Sequence, residues 1–287
     1  MTGAEPAGIL GRVGAPGIKG LFGRPFVDLE PHLDLSKLDE VHEEICLGLA
    51  AVPTDYTGGS HRSMGIVPAS RPDDVGVDYG EVIRGLDAAA FETFRSLSDA
   101  PEAIDPAKRH ELTFGEERAV PLSRRQMLWL KVRFGVYFPW KAYVELIPNR
   151  TWDEKASAEG KRFTRVARNF FPKTIAFVEA LPFSAIGRCN IMGLEAFDHG
   201  TVHRDGEPDE QTDPDEFITF VPGANKRLFL WDDAERREHF IGARAYWFND
   251  FDYHGVAPDP FFRYSVRVDG VFLPEFRERV IAGARAA

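Results

Sequence analysis

The chain has little of what a secreted scaffold, a membrane protein or a nucleic-acid binder requires. Only two cysteines, Cys46 and Cys189, occur in 287 residues, far apart and without a CxxC partner. That excludes a disulfide framework and a zinc knuckle, and it fits a reducing cytoplasm. Positive charge is also in deficit: 35 Lys and Arg face 45 Asp and Glu, for a net charge of -10. Such a surface repels a phosphate backbone, which argues against nucleic acid as a partner. No stretch approaches the roughly 20 apolar residues that cross a bilayer. Even the aromatic region from Met127 to Tyr143 is broken by Lys131, Arg133, Pro139 and Lys141. The first 26 residues are rich in glycine and lack the continuous apolar segment of a secretion signal. A soluble, cytoplasmic protein with no membrane contact is the expectation.

What is present points to one substantial core. Residues 1–26 read as a flexible Gly-rich tail, with a lid over a site as the alternative, and 27–287 as one domain. Within it, 27–182 is mainly helical support. Ser36 and Asp39 offer a reciprocal cap ahead of Leu38, Val41, Ile45 and Leu49 at helical spacing. Further helices fit Tyr79 to Leu97, part of Ser123 to Leu146, and Ala156 to Phe170 with a restart at Pro172. The turn-rich stretch from Thr54 to Asp78 reads as a long loop.

After Leu181 the pattern changes. Ser184 to Ala196, Phe217 to Pro222, Arg227 to Trp231, Glu238 to Phe248 and Phe262 to Phe272 are short, aromatic or β-branched, and separated by Gly, Asp, Asn and Pro. Strands without intervening helices favour two packed sheets, a jelly roll or barrel, over a parallel α/β sheet. The fold class expected is therefore α+β, with a jelly-roll core over 183–272 and a closing helix over 273–287.

One constellation carries chemistry. His203 and Asp205 are two residues apart, so on an extended segment both side chains leave the same face. His254 follows about fifty residues later, between a strand and Pro258, where a turn can return it to the first pair. Two imidazoles and one carboxylate on one side of an iron(II) ion leave positions open for a cosubstrate and oxygen. Arg263 and Ser265 again share a face, and a guanidinium beside a hydroxyl can grip a carboxylate. The metal ligands expected are thus His203, Asp205 and His254, with Arg263 and Ser265 as the clamp.

The order His-x-Asp, a long interval, His, then Arg-x-Ser resembles the iron(II)- and 2-oxoglutarate-dependent dioxygenases, whose fold is the double-stranded β-helix. The resemblance covers 183–272. Within it, Arg188 to Met192 and Trp231-Asp232-Asp233 resemble the aspartyl/asparaginyl β-hydroxylase-like branch. The resemblance implies Fe(II), 2-oxoglutarate and O2 as cofactors. It also implies hydroxylation of an unactivated carbon in an amino acid, a peptide or a small natural-product intermediate. Desaturation, cyclisation and epimerisation are variants of the same oxidation.

Arg188 and Asn190 share a face of the first strand and could line the cavity; Asn190 is assigned to the cosubstrate and Arg188 to the substrate. Arg267 continues the face of Arg263 and is assigned either to substrate or to the protein rim. Two rivals remain: a cupin-like metal or small-ligand binding protein without turnover, and a zinc hydrolase with the same ligands. His61 and His110 have no partner at ligand spacing and stay outside the site.

Overall fold

The computed structural model describes residues 17–52, 79–110, 122–136, 138, 142–149, 154–206, 213–223 and 226–286. The loop expected from Thr54 to Asp78 lies outside them, as does His61. Six of the described helices precede residue 183: α1 (Leu38–Ala51), α2 (Tyr79–Arg84), α3 (Ala88–Ser96), α4 (Arg124–Phe134), α5 (Arg165–Phe170) and α6 (Pro172–Glu179), with α7 (Pro274–Ala286) at the end. Ten strands accompany them among the described residues: β1 (Phe26–Asp28), β2 (Ala142–Ile147), β3 (Phe183–Leu194), β4 (Gly200–His203), β5 (Phe217–Phe220), β6 (Leu228–Asp232), β7 (Arg237–Phe240), β8 (Ala245–Phe248), β9 (His254–Val256) and β10 (Arg263–Phe272).

They form two antiparallel sheets, one ordered β1-β8-β5-β10-β3-β2 and one ordered β4-β9-β6-β7. Consecutive strands repeatedly fall in opposite sheets, an arrangement compatible with the jelly roll expected. Alternation along β10 divides its side chains between two faces. Tyr264, Val266 and Val268 join the large apolar core that α1 and α6 cover, and Tyr264 stacks on His42 of α1. Arg263, Ser265, Arg267 and Asp269 occupy the other face, all buried.

Local chemistry sets the helix limits. Ser123 and Gln126 make the reciprocal cap of α4, and Gly135 ends it in a left-handed conformation. The helix expected from Tyr79 to Leu97 is two helices, because Asp87 turns outward and caps α3 through the Ala90 N–H. Ser36 does not cap α1: Lys37 holds that position without a side-chain bond, and the Ser36 N–H donates to Asp34. A second apolar cluster joins α2, α3 and α4 through Ile83, Phe91, Phe94, Met127 and Leu130.

Residues 17–26, assigned to the tail, are packed instead. Ile18 and Leu21 are buried in the core, and β1 pairs with β8. Their glycines serve turns: Gly20 has φ of 65° and its N–H donates to Asp252. The strand expected from Glu238 to Phe248 is likewise two, β7 and β8, each in a different sheet.

Gly187 in β3 matters to the site. A Cβ there would lie 2.2 Å from the Lys155 carbonyl oxygen, so only glycine lets the 155–156 backbone lie against the strand. That contact carries Lys155 inward to Asp250. Gly187→Ala should therefore lower thermal stability, since overpacking costs about 1–3 kcal/mol and each kcal/mol moves Tm by about 2–4 °C in a chain of this size. Gly242→Ala, where nothing lies within 4 Å, should leave Tm unchanged in the same calorimetric comparison. Equal Tm values for both variants would refute the close approach.

Candidate metal centre

β4 and β9 are adjacent antiparallel strands, and their register places His203 directly opposite His254. Side chains of such a pair share a face and come close. The two rings lie 4.4 Å apart between centroids, and Phe248 packs edge-on against His254 at 5.0 Å. Asp205 follows β4 and is fixed by its own N–H, which donates to the Asp250 carbonyl at 2.8 Å. Its Oδ1 then stands 3.6 Å from His203 Nε2 and 3.9 Å from His254 Nε2. Both separations exceed a hydrogen bond, and one ligand atom from each residue lies within 4.8 Å of the other two. Donors each about 2.1 Å from one ion stand about 3.0–3.4 Å apart, so binding an ion would draw these three groups together by less than about 1 Å.

Protonation agrees with this. His254 Nδ1 donates to the Asp252 carbonyl at 2.9 Å, which leaves the Nε2 lone pair directed at the cluster. Burial, with His203 adding, lowers the His254 pKa to about 4, so its imidazole is neutral at neutral pH. Burial acts against ionisation of Asp205, but His254, Arg267, His203 and Lys155 outweigh it and hold the carboxyl below the usual carboxylate range. A neutral imidazole and an ionised carboxylate are the forms that bind a cation.

The two oxygens of Asp205 have separate tasks. Oδ1 faces the histidines, while Oδ2 accepts from Arg267 at 3.2 Å. Arg267 also donates to Asp250 Oδ2 at 2.5 Å and to Asp269 Oδ1 at 2.8 Å, and its guanidinium lies 3.8 Å over the Phe217 ring. Arg188 donates to the other Asp269 oxygen at 2.9 Å, and Lys155 bridges Asp250 at 3.1 Å and Asp215 at 2.5 Å. Burial, reinforced by Asp250, raises the Asp215 pKa. Formally, four carboxylates face three cations here, and a divalent ion would offset the excess.

The remaining residues chosen from sequence fall in varied places. Arg267 is buried rather than at the rim, and it and Arg188 are both engaged by carboxylates. The NH1 and NH2 groups of Arg263 donate to carbonyls, those of Glu195 and Phe261 at 3.2 and 3.4 Å and of Asp198 and Ala257 at 2.5 and 2.7 Å. Arg263 therefore ties together the turns before β4 and after β9. Ser265 Oγ accepts from Lys226 Nζ at 3.0 Å, and Lys226 also donates to the Met192 carbonyl at 2.7 Å. Burial, with Arg263 adding, lowers the Lys226 pKa well below the ordinary lysine value.

Lys226 gives no signal in the sequence because it stands alone just before β6, with no motif around it. An interior row crosses the larger sheet at the level of Arg267, which pairs with Asn190 on one side and Thr219 on the other, and Thr219 pairs with Tyr246. Asn190 Nδ2 donates to the Tyr143 hydroxyl at 2.7 Å. Asn190 Oδ1 and the Tyr246 hydroxyl are buried without a hydrogen-bond partner among the described residues. Two such atoms in the row of Arg267 call for a polar ligand or water.

No family model matches this chain, and no curated protein matches it. The solved structures it resembles include a Pseudomonas putida prolyl-4-hydroxylase, at 12% identity over 46% of this chain and 73% of that one, with a TM-score of 0.26. A viral collagen prolyl hydroxylase from Paramecium Bursaria Chlorella virus-1, solved as a 2OG complex, matches at 8% identity over 45% and 76%, with a TM-score of 0.25. An oxidoreductase of the 2OG-Fe(II) oxygenase family from Burkholderia pseudomallei matches at 12% identity over 44% and 66%, with a TM-score of 0.29. Such low identities and scores carry no inference about what this chain binds or does, so the case for function rests on the site itself.

Proposed function

We propose that the protein is an iron(II)- and 2-oxoglutarate-dependent oxygenase of jelly-roll fold, which hydroxylates an amino acid, a peptide or a small metabolite. The convergence of His203, Asp205 and His254 carries this reading. Two imidazoles and one carboxylate oxygen would hold the ion on one side only. When bound, iron with 2-oxoglutarate supplies the oxidising chemistry for attack on an unactivated carbon.

The chain's own residues do the positioning. Arg267 keeps Asp205 Oδ2 occupied, so the carboxylate offers one oxygen to the ion instead of closing over a second position. Asp252 fixes the His254 ring through its backbone carbonyl, and Phe248 buttresses that ring. Asn190 Oδ1 and the Tyr246 hydroxyl are polar contacts available to a cosubstrate in the same interior. The distal carboxylate is assigned to Lys226 and Ser265, with the Arg263 guanidinium as electrostatic support. Arrival of that anion would favour protonation of Lys226, offsetting the burial that lowers its pKa.

Three measurements follow. Adding 2-oxoglutarate to the anaerobic Fe(II) protein should produce a visible charge-transfer band, and aerobic turnover should release succinate. Asp205→Ala should lose both while keeping its circular dichroism spectrum; full activity in the folded variant would exclude the triad. Arg267→Gln should weaken Co(II) binding by roughly 10–100-fold, as loss of a partner behind a metal ligand commonly does. Co(II) affinity equal to wild type would remove Arg267 from the support of Asp205. Finally, Lys226→Met should raise the 2-oxoglutarate requirement more than Arg263→Leu does, by titration of the visible band. The opposite ranking would return the clamp to Arg263.

A further inference from the structure

A second group of ligand-type side chains lies outside this centre. Asp232 closes β6, His239 lies in β7 and Glu235 sits in the turn between them, with one ligand atom of each within 4.8 Å of the other two. The register sets Asp232 opposite Arg237 and Leu230 opposite His239, which makes Asp232 and His239 diagonal neighbours on one face of the hairpin. His239 Nε2 is 3.8 Å from Asp232 Oδ2. That is too long for a hydrogen bond, and it falls between the 3.6 and 3.9 Å that separate Asp205 from its two histidines.

The two Asp232 oxygens are treated unequally. Oδ1 accepts the N–H groups of Gly17, Ala234 and Glu235, each at 3.0 Å. Oδ2 is buried and has no hydrogen-bond partner among the described residues. A carboxylate oxygen in that state is costly unless positive charge meets it. It faces His239 and Glu235, which are 22% and 43% exposed and so give an ion access. Arg237 now covers this opening, 3.4 Å from His239 Nε2 and 3.5 Å from Glu235 Oε2. Its side chain is 61% exposed, so it can swing into solvent at little cost.

We propose that Asp232, Glu235 and His239 form a second divalent-cation site on the β6–β7 hairpin. An imidazole with two carboxylates suits zinc or a similar borderline ion, with water completing the shell. Its role is structural. Asp232 also receives Gly17, and just beyond it Lys19 and Gly20 donate to Asp252, the residue whose carbonyl orients His254. An ion on the hairpin therefore steadies the segment that braces the first centre.

The test is calorimetric titration of the full chain with Zn2+, with metal content measured after dialysis. Asp232→Asn keeps an oxygen for the three N–H groups, and His239→Ala alters a side chain near the surface, so both variants should fold. Each should bind one ion fewer than wild type, and Arg237→Gln should tighten that same ion several-fold by removing a competing cation. His203→Ala should leave the hairpin ion in place, which separates this site from the triad whether or not the triad binds metal. Unchanged stoichiometry and affinity in both Asp232→Asn and His239→Ala would overturn the proposal.

Discussion

Placement of a carboxylate beside two cross-strand histidines is the constraint on which the rest of this molecule depends. The pairing of β4 with β9 brings the imidazoles together at little conformational cost, because opposed side chains in an antiparallel ladder already share a face. Asp205 needs more. It lies beyond the end of β4, and it is held by its backbone bond to Asp250 and by Arg267 on its outer oxygen. Arg267 is in turn restrained by Asp250, Asp269 and the Phe217 face. Removing one member of such a buried network leaves uncompensated charge, commonly costing about 3–5 kcal/mol. Asp205 is thus restrained at its backbone and at one carboxylate oxygen, the kind of preorganisation an ion site needs.

The elements around the cluster restrain it from two directions. On one side Gly187 lets the 155–156 backbone lie on β3, so that Lys155 reaches both Asp250 and Asp215. On the other, residues 17–28 cross the two sheets, with Gly17 on Asp232, Lys19 and Gly20 on Asp252, and β1 on β8. Chain segments far apart in sequence thus meet at two aspartates, Asp250 and Asp252, in the short connection between β8 and β9. That connection joins the two sheets at the cluster, while the apolar core behind β10 provides the bulk of the burial.

Much of this was legible in the sequence, for identifiable reasons. The long strands β3 and β10 are aromatic or β-branched and bounded by turn residues, so their existence and their limits to within a residue or two follow from local pattern. The grouping of His203, Asp205 and His254 follows from residue type and order. By contrast β4 and β9, the strands that present the histidines, are only four and three residues long and too short to show periodicity. The fates of Arg263 and Arg267 were not readable either. Both sit on the same face of β10, and only tertiary partners decide that one ties loop carbonyls while the other holds the Asp205 carboxylate. The packed segment from Gly17 was hidden by its glycines, which mark turns here rather than disorder.

The central claim is that His203, Asp205 and His254 bind one ion, with Asp205 contributing a single oxygen. Anomalous diffraction from crystals loaded anaerobically with Fe(II) tests it most directly. The account predicts one anomalous peak about 2.0–2.2 Å from both Nε2 atoms and from Asp205 Oδ1, with Oδ2 still bonded to Arg267. A peak that fails to touch all three residues, or an Asp205 turned away from the ion, would contradict it.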